Sequence, residues 1–323
     1  MDARTDARWL AAAAALAERA RPLSRPNPAV GALIVQGARV VGRGWTQAGG
    51  RPHAEAVALQ QAGPLAQGAT LYVTLEPCAH QSQRGPSCTS LVAVSGIARV
   101  VCGVQDPDPR TAGAGIAALR AAGIDAACAS DAACRASLAG YLMQRLTGRP
   151  QVTLKLALSL DGCIALADGA SQWITGPQAR AHCHRERGRA DAIIVGGGTL
   201  RADSPRLDVR LPGLEQRSPQ RLVLTGRTAP DGWTALPSPE AIATLPDVQY
   251  LFVEGGAGAA AAFLRADLVD RLLLYRAPVL IGGGLPALGD IGLASLDQAH
   301  GRWRIADWRR LGADRLEIFD RTR

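Results

Sequence analysis

The chain has 323 residues, of which 47% are hydrophobic and 20% charged, and its formal net charge is +8. This length predicts two domains, and the composition excludes a disordered or fibrous protein. The basic excess lies mainly in the first 150 residues, which hold 15 Arg against 9 acidic residues. Because no basic run is interleaved with aromatic residues, we expect anionic small molecules such as phosphate esters, and no nucleic acid, as partners.

The first predicted element is an alanine-rich helix at residues 9–17. Arginines precede it, as in a signal peptide, but the segment is too short and too rich in alanine to span a membrane. We therefore expect a helix that packs on the first domain, and no membrane association. The seven cysteines form no regular framework, which predicts reduced thiols and a cytoplasmic location.

A turn-rich loop at 24–31 leads into a predicted β-hairpin with strands at 32–35 and 39–42. Asn27 stands between two prolines, which hold its backbone extended. Its amide is therefore a candidate contact for the edge of a heterocyclic substrate. An asparagine that only shapes a turn is the alternative.

One histidine, one glutamate and two cysteines form the central motif of the first half. His53 and Glu55 lie in the first turn of a predicted helix at 53–62, and a predicted strand at 69–75 runs into Cys78, with Cys88 downstream. One imidazole and two thiolates would give Zn²⁺ three ligands and leave one position for a water of lowered pKa. Glu55 would not bind the metal but would move the proton of that water. The alternative is two buried structural cysteines and an unrelated surface histidine.

Further helices are predicted near 89–95, at 116–122 and at 131–146, with a strand at 98–103 between the first two. The alternation of helices and strands predicts an α/β layer sandwich. A Gly and a Pro at 148 and 150 end this part of the chain. We therefore place the domain boundary there, with domains at 1–148 and 149–323.

The first half resembles the deaminase half of the bifunctional riboflavin-biosynthesis deaminase/reductases, through residues 26–31, 52–55, 74–78 and 106–109. The resemblance implies a cytidine-deaminase-like α/β/α sandwich that deaminates 2,5-diamino-6-ribosylamino-4(3H)-pyrimidinone 5′-phosphate at ring C2. It implies that His80 and Asp106 hold the pyrimidine or the ribose phosphate and that Arg84 contacts the phosphate.

Three positions depart from that family's pattern. The interval between Cys78 and Cys88 is one residue longer than usual, Thr46 stands where His is usual, and Asp108 stands where Asn is usual. The last departure would place a second negative charge near the substrate. The zinc ligands and Glu55 are intact, so we expect activity.

The second half opens with a predicted strand at 151–159 that contains Lys155, the only lysine of the chain. A compact ammonium is not interchangeable with a guanidinium, so we interpret Lys155 as a donor to a substrate carbonyl. A lysine without any role is the alternative.

The second half contains no G-x-G-x-x-G, which argues against a standard Rossmann site. Predicted strands at 191–195 and 249–253 instead run into glycine-rich loops at 196–199 and 254–257. Consecutive glycines let backbone N–H groups approach a pyrophosphate, although they also occur in ordinary turns. Asp203 and Arg210, on a predicted loop just beyond, would present an acid and an anion-binding base, or form a surface ion pair.

Residues 154–162, 169–176, 191–199, 203–210 and 253–256 resemble the reductase half of the same family. The resemblance implies a dihydrofolate-reductase-like fold and an NADPH-dependent hydride transfer to ribose C1′. Arg187 and Arg210 would bind the 5′-phosphate bidentately, and Asp203 would supply a proton, while Ser204 stands where a second Asp is common. The implied NADPH contacts are Ala157, Trp173, Thr199, Asp203, Gly226, Gly256, Ala257 and Gly258. The implied substrate contacts are Ser171, Arg187, Leu207, Arg210 and Glu254.

Two successive reactions on one phosphorylated pyrimidine would explain why both halves share a chain and an anion preference. We expect a homo-oligomer, either a dimer or a tetramer. Three alternatives are a deaminase with a non-catalytic C-terminal substrate-binding domain, a nucleic-acid-editing zinc deaminase, and a structural module with a fully ligated zinc.

Overall fold

The computed structural model describes residues 3–80 and 83–323. The chain forms two compact units, Met1–Gly148 and Arg149–Arg323. Within the described residues, no helix has both the length and the apolar character needed to cross a membrane.

The first unit is built on a five-stranded sheet in the order β2-β1-β3-β4-β5. The strands are β1 (Gly31–Gln36), β2 (Arg39–Trp45), β3 (Thr70–Leu75), β4 (Arg99–Val104) and β5 (Asp125–Cys128). β1 pairs with β2 and β3 in antiparallel fashion, whereas β3, β4 and β5 are parallel. The predicted hairpin and the predicted strands near 69–75 and 98–103 are confirmed.

In residues 3–80 and 83–148, six α-helices accompany this sheet: α1 (Ala3–Ala17), α2 (Ala54–Ala62), α3 (Cys88–Ala93), α4 (Ala114–Ala121), α5 (Ala132–Ser137) and α6 (Ala139–Thr147). α1 packs against β1, β3 and α5, while α2 packs against β1, β2 and α3. The buried core contains apolar residues of the sheet, of α1 and α5, and of α2 and α3. The helices and the sheet share this core, as expected for the layered arrangement predicted from the sequence. The single helix predicted at 131–146 is wrong, because the chain leaves helical geometry at Leu138 and forms two helices.

The second unit contains an eight-stranded sheet in the order β10-β9-β8-β11-β6-β12-β15-β14. β12 and β14 both pair with β15 in antiparallel fashion, and the other neighbours are parallel. The strands are β6 (Gln151–Leu158), β8 (Ala192–Gly196), β9 (Gln220–Leu224), β10 (Thr234–Leu236), β11 (Tyr250–Val253), β12 (Arg271–Arg276), β14 (Trp303–Leu311) and β15 (Asp314–Arg321). A separate two-stranded ladder joins β7 (Cys163–Ala165) to β13 (Leu285–Pro286).

Three α-helices belong to this unit: α7 (Pro177–Arg187), α8 (Gly197–Asp203) and α9 (Ala257–Arg265). The loop predicted at 196–199 is wrong in part, because Gly197, Gly198 and Thr199 already form the first turn of α8. Asp203 is the last residue of this helix, so the predicted loop begins only at Ser204. α8 thus starts directly at the carboxyl end of β8, whereas residues 254–256 separate α9 from the end of β11.

Glycine at position 44 lets α2 lie directly on β2. A Cβ atom at Gly44 would collide with the backbone carbonyl of Ala54, the first residue of α2. The close approach matters for function because α2 also carries Glu55.

We expect Gly44→Ala to lower the melting temperature of the first unit, by a destabilisation of about 1–3 kcal/mol from overpacking, and to weaken zinc retention on dialysis. Thermal unfolding and metal analysis measure the two effects. Arg43→Ala, which changes an exposed side chain of the same strand, is the control. Retention of both properties in Gly44→Ala would show that α2 tolerates displacement.

Candidate active sites

Three segments of the first unit bring one imidazole and two thiols together. His53 is the N-cap residue of α2, Cys78 follows the end of β3, and Cys88 begins α3. Their ligand atoms all lie within 4.8 Å of one another. The His53 Nδ1 atom is 3.2 Å from the Cys88 sulfur and 3.6 Å from the Cys78 sulfur. This donor set fits a tetrahedral zinc ion with three protein ligands.

The charges in this cluster favour a thiolate. Hydrogen bonding from Cys88, then from His53, lowers the pKa of Cys78 to about 4. The pKa of Cys88 is raised well above its ordinary value, first by its contact with Cys78 and then by burial. The Cys88 backbone N–H also donates to the Cys78 sulfur, at 3.3 Å. Cys78 is therefore ready to bind a cation as a thiolate.

Glu55 lies beside the ligands but outside the set of three. Its side chain is buried, with 4% of the residue exposed. Burial raises the pKa of the Glu55 carboxyl, and the neighbouring Cys78 acts in the same direction. A carboxyl group that binds a proton more readily than usual suits a residue that takes and returns protons.

Asn27 lies against the zinc-ligand histidine. Its Nδ2 atom is 3.1 Å from both the Gly50 carbonyl oxygen and the His53 Nε2 atom. Because Nδ1 faces the two sulfurs, a zinc-bound ring carries its hydrogen on Nε2 and needs an acceptor there. The Asn27 amide nitrogen is a donor, so this contact, which was not predicted from the sequence, does not orient a zinc-bound ring. The predicted contact of Asn27 with the substrate stays a prediction.

Glu76 organises the loop on the other side of Cys78. Its buried carboxylate accepts hydrogen bonds from the backbone N–H groups of Asp106, Gly113 and Ile116, at 3.0–3.2 Å. The last two donors lie at the start of α4, where a negative charge is favourable. The sequence motif contained Glu76 without indicating this role.

The other predicted contacts of the deaminase site are distributed around this loop. His80 Nδ1 lies 3.4 Å from the Thr111 hydroxyl, and Arg84 Nη2 donates to the Gly49 carbonyl at 2.7 Å. Asp106 is buried and accepts hydrogen bonds from the Tyr141 hydroxyl and the Asp108 N–H. Asp106 is thus bonded within the protein, and its contact with substrate stays a prediction.

The departures from the family pattern have local explanations. Asp108 forms an ion pair with Arg110 at 2.6 Å and lies 3.6 Å from Arg145, and hydrogen bonding to Arg110 lowers the pKa of the Asp108 carboxyl. Its negative charge is therefore balanced inside the protein. The buried Thr46 hydroxyl accepts a hydrogen bond from the Val30 N–H. In the lengthened interval after Cys78, residues 81 and 82 lie outside the described part of the chain.

A cavity of about 660 Å³ lies in the second unit. Its wall includes residues of β6, α7 and α8 and the segments that follow β8 and β11. This is the carboxyl edge of a parallel sheet, where α/β proteins bind ligands. Predicted residues in the wall are Lys155, Ala157, Ser171, Trp173, Arg187, Thr199, Asp203, Leu207, Arg210, Glu254 and Gly256. Gly226 is exposed at the end of β9, and Ala257 and Gly258 open α9; none of the three belongs to that wall.

Glu254 is the most strongly bound carboxylate of the cavity. Arg187 donates to it from Nε at 2.6 Å and from Nη2 at 2.9 Å, and the Lys155 Nζ atom lies 3.8 Å away. Burial opposes ionisation, but the charges of Lys155 and Arg187 prevail and hold the pKa of Glu254 at about 2. Because both nitrogens of that fork already donate to a carboxylate, the bidentate phosphate contact predicted for Arg187 does not fit this arrangement.

Two further features of the wall concern the predicted ligand contacts. The Thr199 hydroxyl accepts a hydrogen bond from the Gly256 N–H at 3.2 Å and so joins the two glycine-rich segments. Arg210 lies with its Nη2 atom 3.4 Å from the His184 ring, and its side chain is half exposed. It can therefore reach a ligand in the cavity.

Several wall residues were not singled out from the sequence. Cys183 donates from its thiol to Glu254 at 3.3 Å, Arg180 stacks over the Trp173 ring, and the wall also contains His184 and Tyr275. The spacing of Arg180, Cys183 and His184 on α7 places these three on one helix face, but no motif distinguished that face.

Comparison with known proteins supports the same division of the chain. A model of the zinc-binding region of cytidine and deoxycytidylate deaminases matches residues 3–104, and a model of the RibD C-terminal domain matches residues 150–245 and 238–316. The riboflavin biosynthesis protein RibD of Escherichia coli K12 is 37% identical over 96% of this chain and 97% of its own length.

Two solved structures match the full length. RibD of Acinetobacter baumannii is 32% identical, covers 100% of both chains and gives a TM-score of 0.88. A diaminohydroxyphosphoribosylaminopyrimidine deaminase/5-amino-6-(5-phosphoribosylamino)uracil reductase of Thermotoga maritima is 28% identical, covers 99% of both chains and also gives 0.88.

The fold and the two sites therefore define a zinc-binding deaminase domain joined to a reductase domain. The chain belongs to the RibD family, the bifunctional deaminase/reductases of riboflavin biosynthesis. The predicted fold class, a cytidine-deaminase-like domain followed by a reductase domain, and the predicted bifunctional activity are confirmed.

We expect Glu254→Gln to destabilise the second unit by about 3 kcal/mol at neutral pH. The pKa of Glu254 is about 2, against an ordinary 4.5, so the contribution is present above pH 4.5 and is lost as the pH falls towards 2. Hydrogen exchange of amides in the second unit, measured against pH for both proteins, tests this. If the stabilities of the two proteins differ by the same amount down to the lowest pH, the pairing of Glu254 with Lys155 and Arg187 does not provide this stabilisation.

Proposed function

We propose that the first unit hydrolyses the 2-amino group of 2,5-diamino-6-ribosylamino-4(3H)-pyrimidinone 5′-phosphate. In the second unit, NADPH would then reduce the ribosyl group to ribityl, giving 5-amino-6-(5-phosphoribitylamino)uracil. The observation that carries the proposal is the cluster of His53, Cys78 and Cys88 around a buried Glu55. The substrate named for the Thermotoga maritima protein is of this chemical class.

In the deamination, His53, Cys78 and Cys88 would hold the zinc ion. When bound, zinc would supply a water acidified towards neutral pH. Glu55 would take a proton from the attacking water and give it to the departing amino group, which would leave as ammonia. Burial raises the pKa of the Glu55 carboxyl. Its affinity for a proton is then closer to those of the water and the amino group between which it carries the proton. Asn27, whose amide nitrogen lies 3.1 Å from the His53 ring, is assigned to the edge of the pyrimidine.

Substrate contacts in this unit come from His80, Asp106 and Arg84. Arg84 is exposed near the metal cluster and donates to Gly49, so it can exchange that contact for a phosphate oxygen. Asp108 adds no unbalanced charge to the site because of its ion pair with Arg110. We therefore propose no altered substrate preference from the aspartate at position 108.

The residues of the second unit fit a dinucleotide. Gly198 leaves open space where a side chain would otherwise stand, and Thr199, Gly256 and Trp173 share the cavity wall. Backbone N–H groups at the start of α9 suit the phosphates, with Ala257 and Gly258 in its first turn. When bound, NADPH supplies a hydride equivalent for ribose C1′. Gly226, outside the wall, would contact only a part of the cofactor that extends beyond the cavity.

Lys155 and Glu254 are the groups that we assign to the reacting end of the substrate. Lys155 donates to a substrate oxygen while Glu254, held by Arg187, keeps the ammonium in position. Arg210 is assigned to the 5′-phosphate, since its half-exposed guanidinium faces the cavity. Ser171 and Leu207 line the same space, and Asp203, at the end of α8, would supply a proton.

A homo-oligomeric state and a cytoplasmic location stay predictions from the sequence. A nucleic-acid-editing deaminase is disfavoured by the second unit, because its match to the RibD C-terminal domain gives the chain a second reaction on a small molecule. NADPH binding to the second unit separates the proposal from a deaminase with a non-catalytic C-terminal domain.

We expect Glu55→Gln to reduce ammonia release by about 10²–10⁴-fold, because the amide cannot move a proton. Zinc content should stay stoichiometric, since Glu55 is not a ligand, and NADPH oxidation on pre-deaminated substrate should be unchanged. Ammonia release, metal content and absorbance at 340 nm measure the three quantities. Gln60→Ala, at an exposed site of the same helix, is the control. Retained deamination in Glu55→Gln would show that Glu55 does not transfer the proton.

We expect Arg210→Gln to raise the reductase KM for the 5′-phosphorylated substrate by about 10–100-fold, the loss of a charged hydrogen bond. The KM for the dephosphorylated riboside should not change. Steady-state kinetics with both substrates test this, with Arg265→Gln, an exposed arginine of the same unit, as the control. An equal increase for both substrates would show that Arg210 does not contact the phosphate.

A further inference from the structure

Tyr275 is a buried residue of β12 whose side chain belongs to the cavity wall. In the sheet it stands opposite Ala157 of β6. Its hydroxyl oxygen lies 2.8 Å from the Nδ1 atom of His182, on α7. One of these two groups therefore donates a hydrogen bond to the other, and the direction decides where the tyrosine proton points.

Arg185 determines that direction. Its Nη2 atom lies 2.9 Å from the other ring nitrogen of His182, Nε2. A guanidinium only donates hydrogen bonds, so Nε2 must accept. A neutral imidazole that accepts at Nε2 carries its hydrogen on Nδ1. His182 therefore donates from Nδ1 to the Tyr275 oxygen.

The tyrosine proton must then go elsewhere. A phenol has a single hydrogen, and the side of the Tyr275 oxygen that faces His182 already receives one. The hydroxyl hydrogen is thus directed away from the His182 nitrogen, and Tyr275 is itself a residue of the cavity wall. Tyr275 accepts from His182 and is in this way left as a donor for a second partner.

This direction of the hydrogen bond requires a neutral His182 ring and a protonated Tyr275, and both conditions hold at neutral pH. Burial lowers the pKa of His182 to about 4, against the opposing charge of Glu186, so the ring is neutral. Burial, reinforced by Cys183, Glu186 and Glu254, raises the pKa of Tyr275 above its ordinary value, so the phenol keeps its proton. The Nε2 atom and the nearest oxygen of Glu186 are 3.9 Å apart, which is too long for a hydrogen bond that would favour the other tautomer.

We propose that Tyr275 donates a hydrogen bond to an oxygen of the reductase substrate, and that His182 and Arg185 are positioning residues that set this direction. The inference rests on the proposed function of the cavity. The glycine-rich segments that suit the cofactor phosphates follow β8 and β11, whereas β12 lies on the opposite side of β6. Lys155 and Ala157 lie on one face of β6, so Tyr275 shares its part of the wall with the assigned substrate contact Lys155.

The first test is Tyr275→Phe in the full chain, with the pre-deaminated ribosylaminouracil 5′-phosphate as substrate. Loss of one neutral hydrogen bond predicts a KM about tenfold higher. The Kd for NADPH, from fluorescence titration, should be unchanged, as should ammonia release by the first unit. An unchanged KM, or an effect on the NADPH Kd instead, overturns the proposal.

The second test changes the residue that sets the tautomer and lies outside the cavity wall. In Arg185→Leu the His182 ring is released from its donor partner, and it can accept at Nδ1 from Tyr275, which turns the phenol proton away from the substrate. The KM should rise as in Tyr275→Phe, and Arg185→Lys, which keeps a donor-only cation, should restore it. In the double variant Tyr275→Phe/Arg185→Leu, the KM should rise no further than in either single variant.

Nitrogen-15 shifts of the His182 ring give a readout that does not depend on activity. The wild-type protein should show a protonated Nδ1 and an unprotonated Nε2, and Arg185→Leu should lose this preference. The opposite tautomer in the wild type overturns the proposal even if the kinetics agree. If the wild type fails to oxidise NADPH with this substrate, the proposed function fails instead, while the ring shifts still report the direction of the hydrogen bond.

Discussion

A carboxylate buried at the carboxyl end of a strand organises each of the two units. Glu76, just after β3, accepts three backbone N–H groups and so holds the loop that leads to α4. Glu254, just after β11, binds Arg187 and lies near Lys155. A buried charge is costly unless it is paired and hydrogen-bonded, and this requirement draws separate segments of the chain to one place. Glu76 stands two residues before Cys78, and the Glu254 carboxylate lies 3.8 Å from the Lys155 Nζ atom.

Burial raises the pKa of a buried carboxyl in both units, and the charged neighbours decide the outcome in each. At Glu55 burial prevails over the lowering effect of His53, and Cys78 adds to it, so the pKa is raised, as its proposed role as a proton carrier requires. Glu254 has two cationic neighbours, so its pKa falls despite burial and its charge is permanent. The partners of each glutamate, and not its residue type, therefore separate a proton carrier from an electrostatic support.

Much of the deaminase site could be predicted from the sequence because its residues lie in short motifs with strong local signals. Proline and glycine mark the turns, continuous apolar runs mark β1, β3 and β4, and the spacing of His53, Glu55 and Cys78 places them at element ends. Prediction was weaker where a residue bonds to distant neighbours. Asp108 pairs with its neighbour Arg110, but its second cation, Arg145, reaches it through a contact with α6 that no local pattern encodes.

The sequence by itself indicated β1 to β4, β6, β8 and β11, the His53, Cys78 and Cys88 motif and the two glycine-rich segments, because each rests on short local patterns. Tertiary structure alone decided that Arg187 pairs with Glu254, that Asn27 lies against His53, and that Tyr275 meets His182. These pairs are 26 to 93 residues apart. At such separations, strand order and helix packing decide which donor meets which acceptor. Side-chain chemistry alone does not decide it, because each of these residues could bond to many other partners.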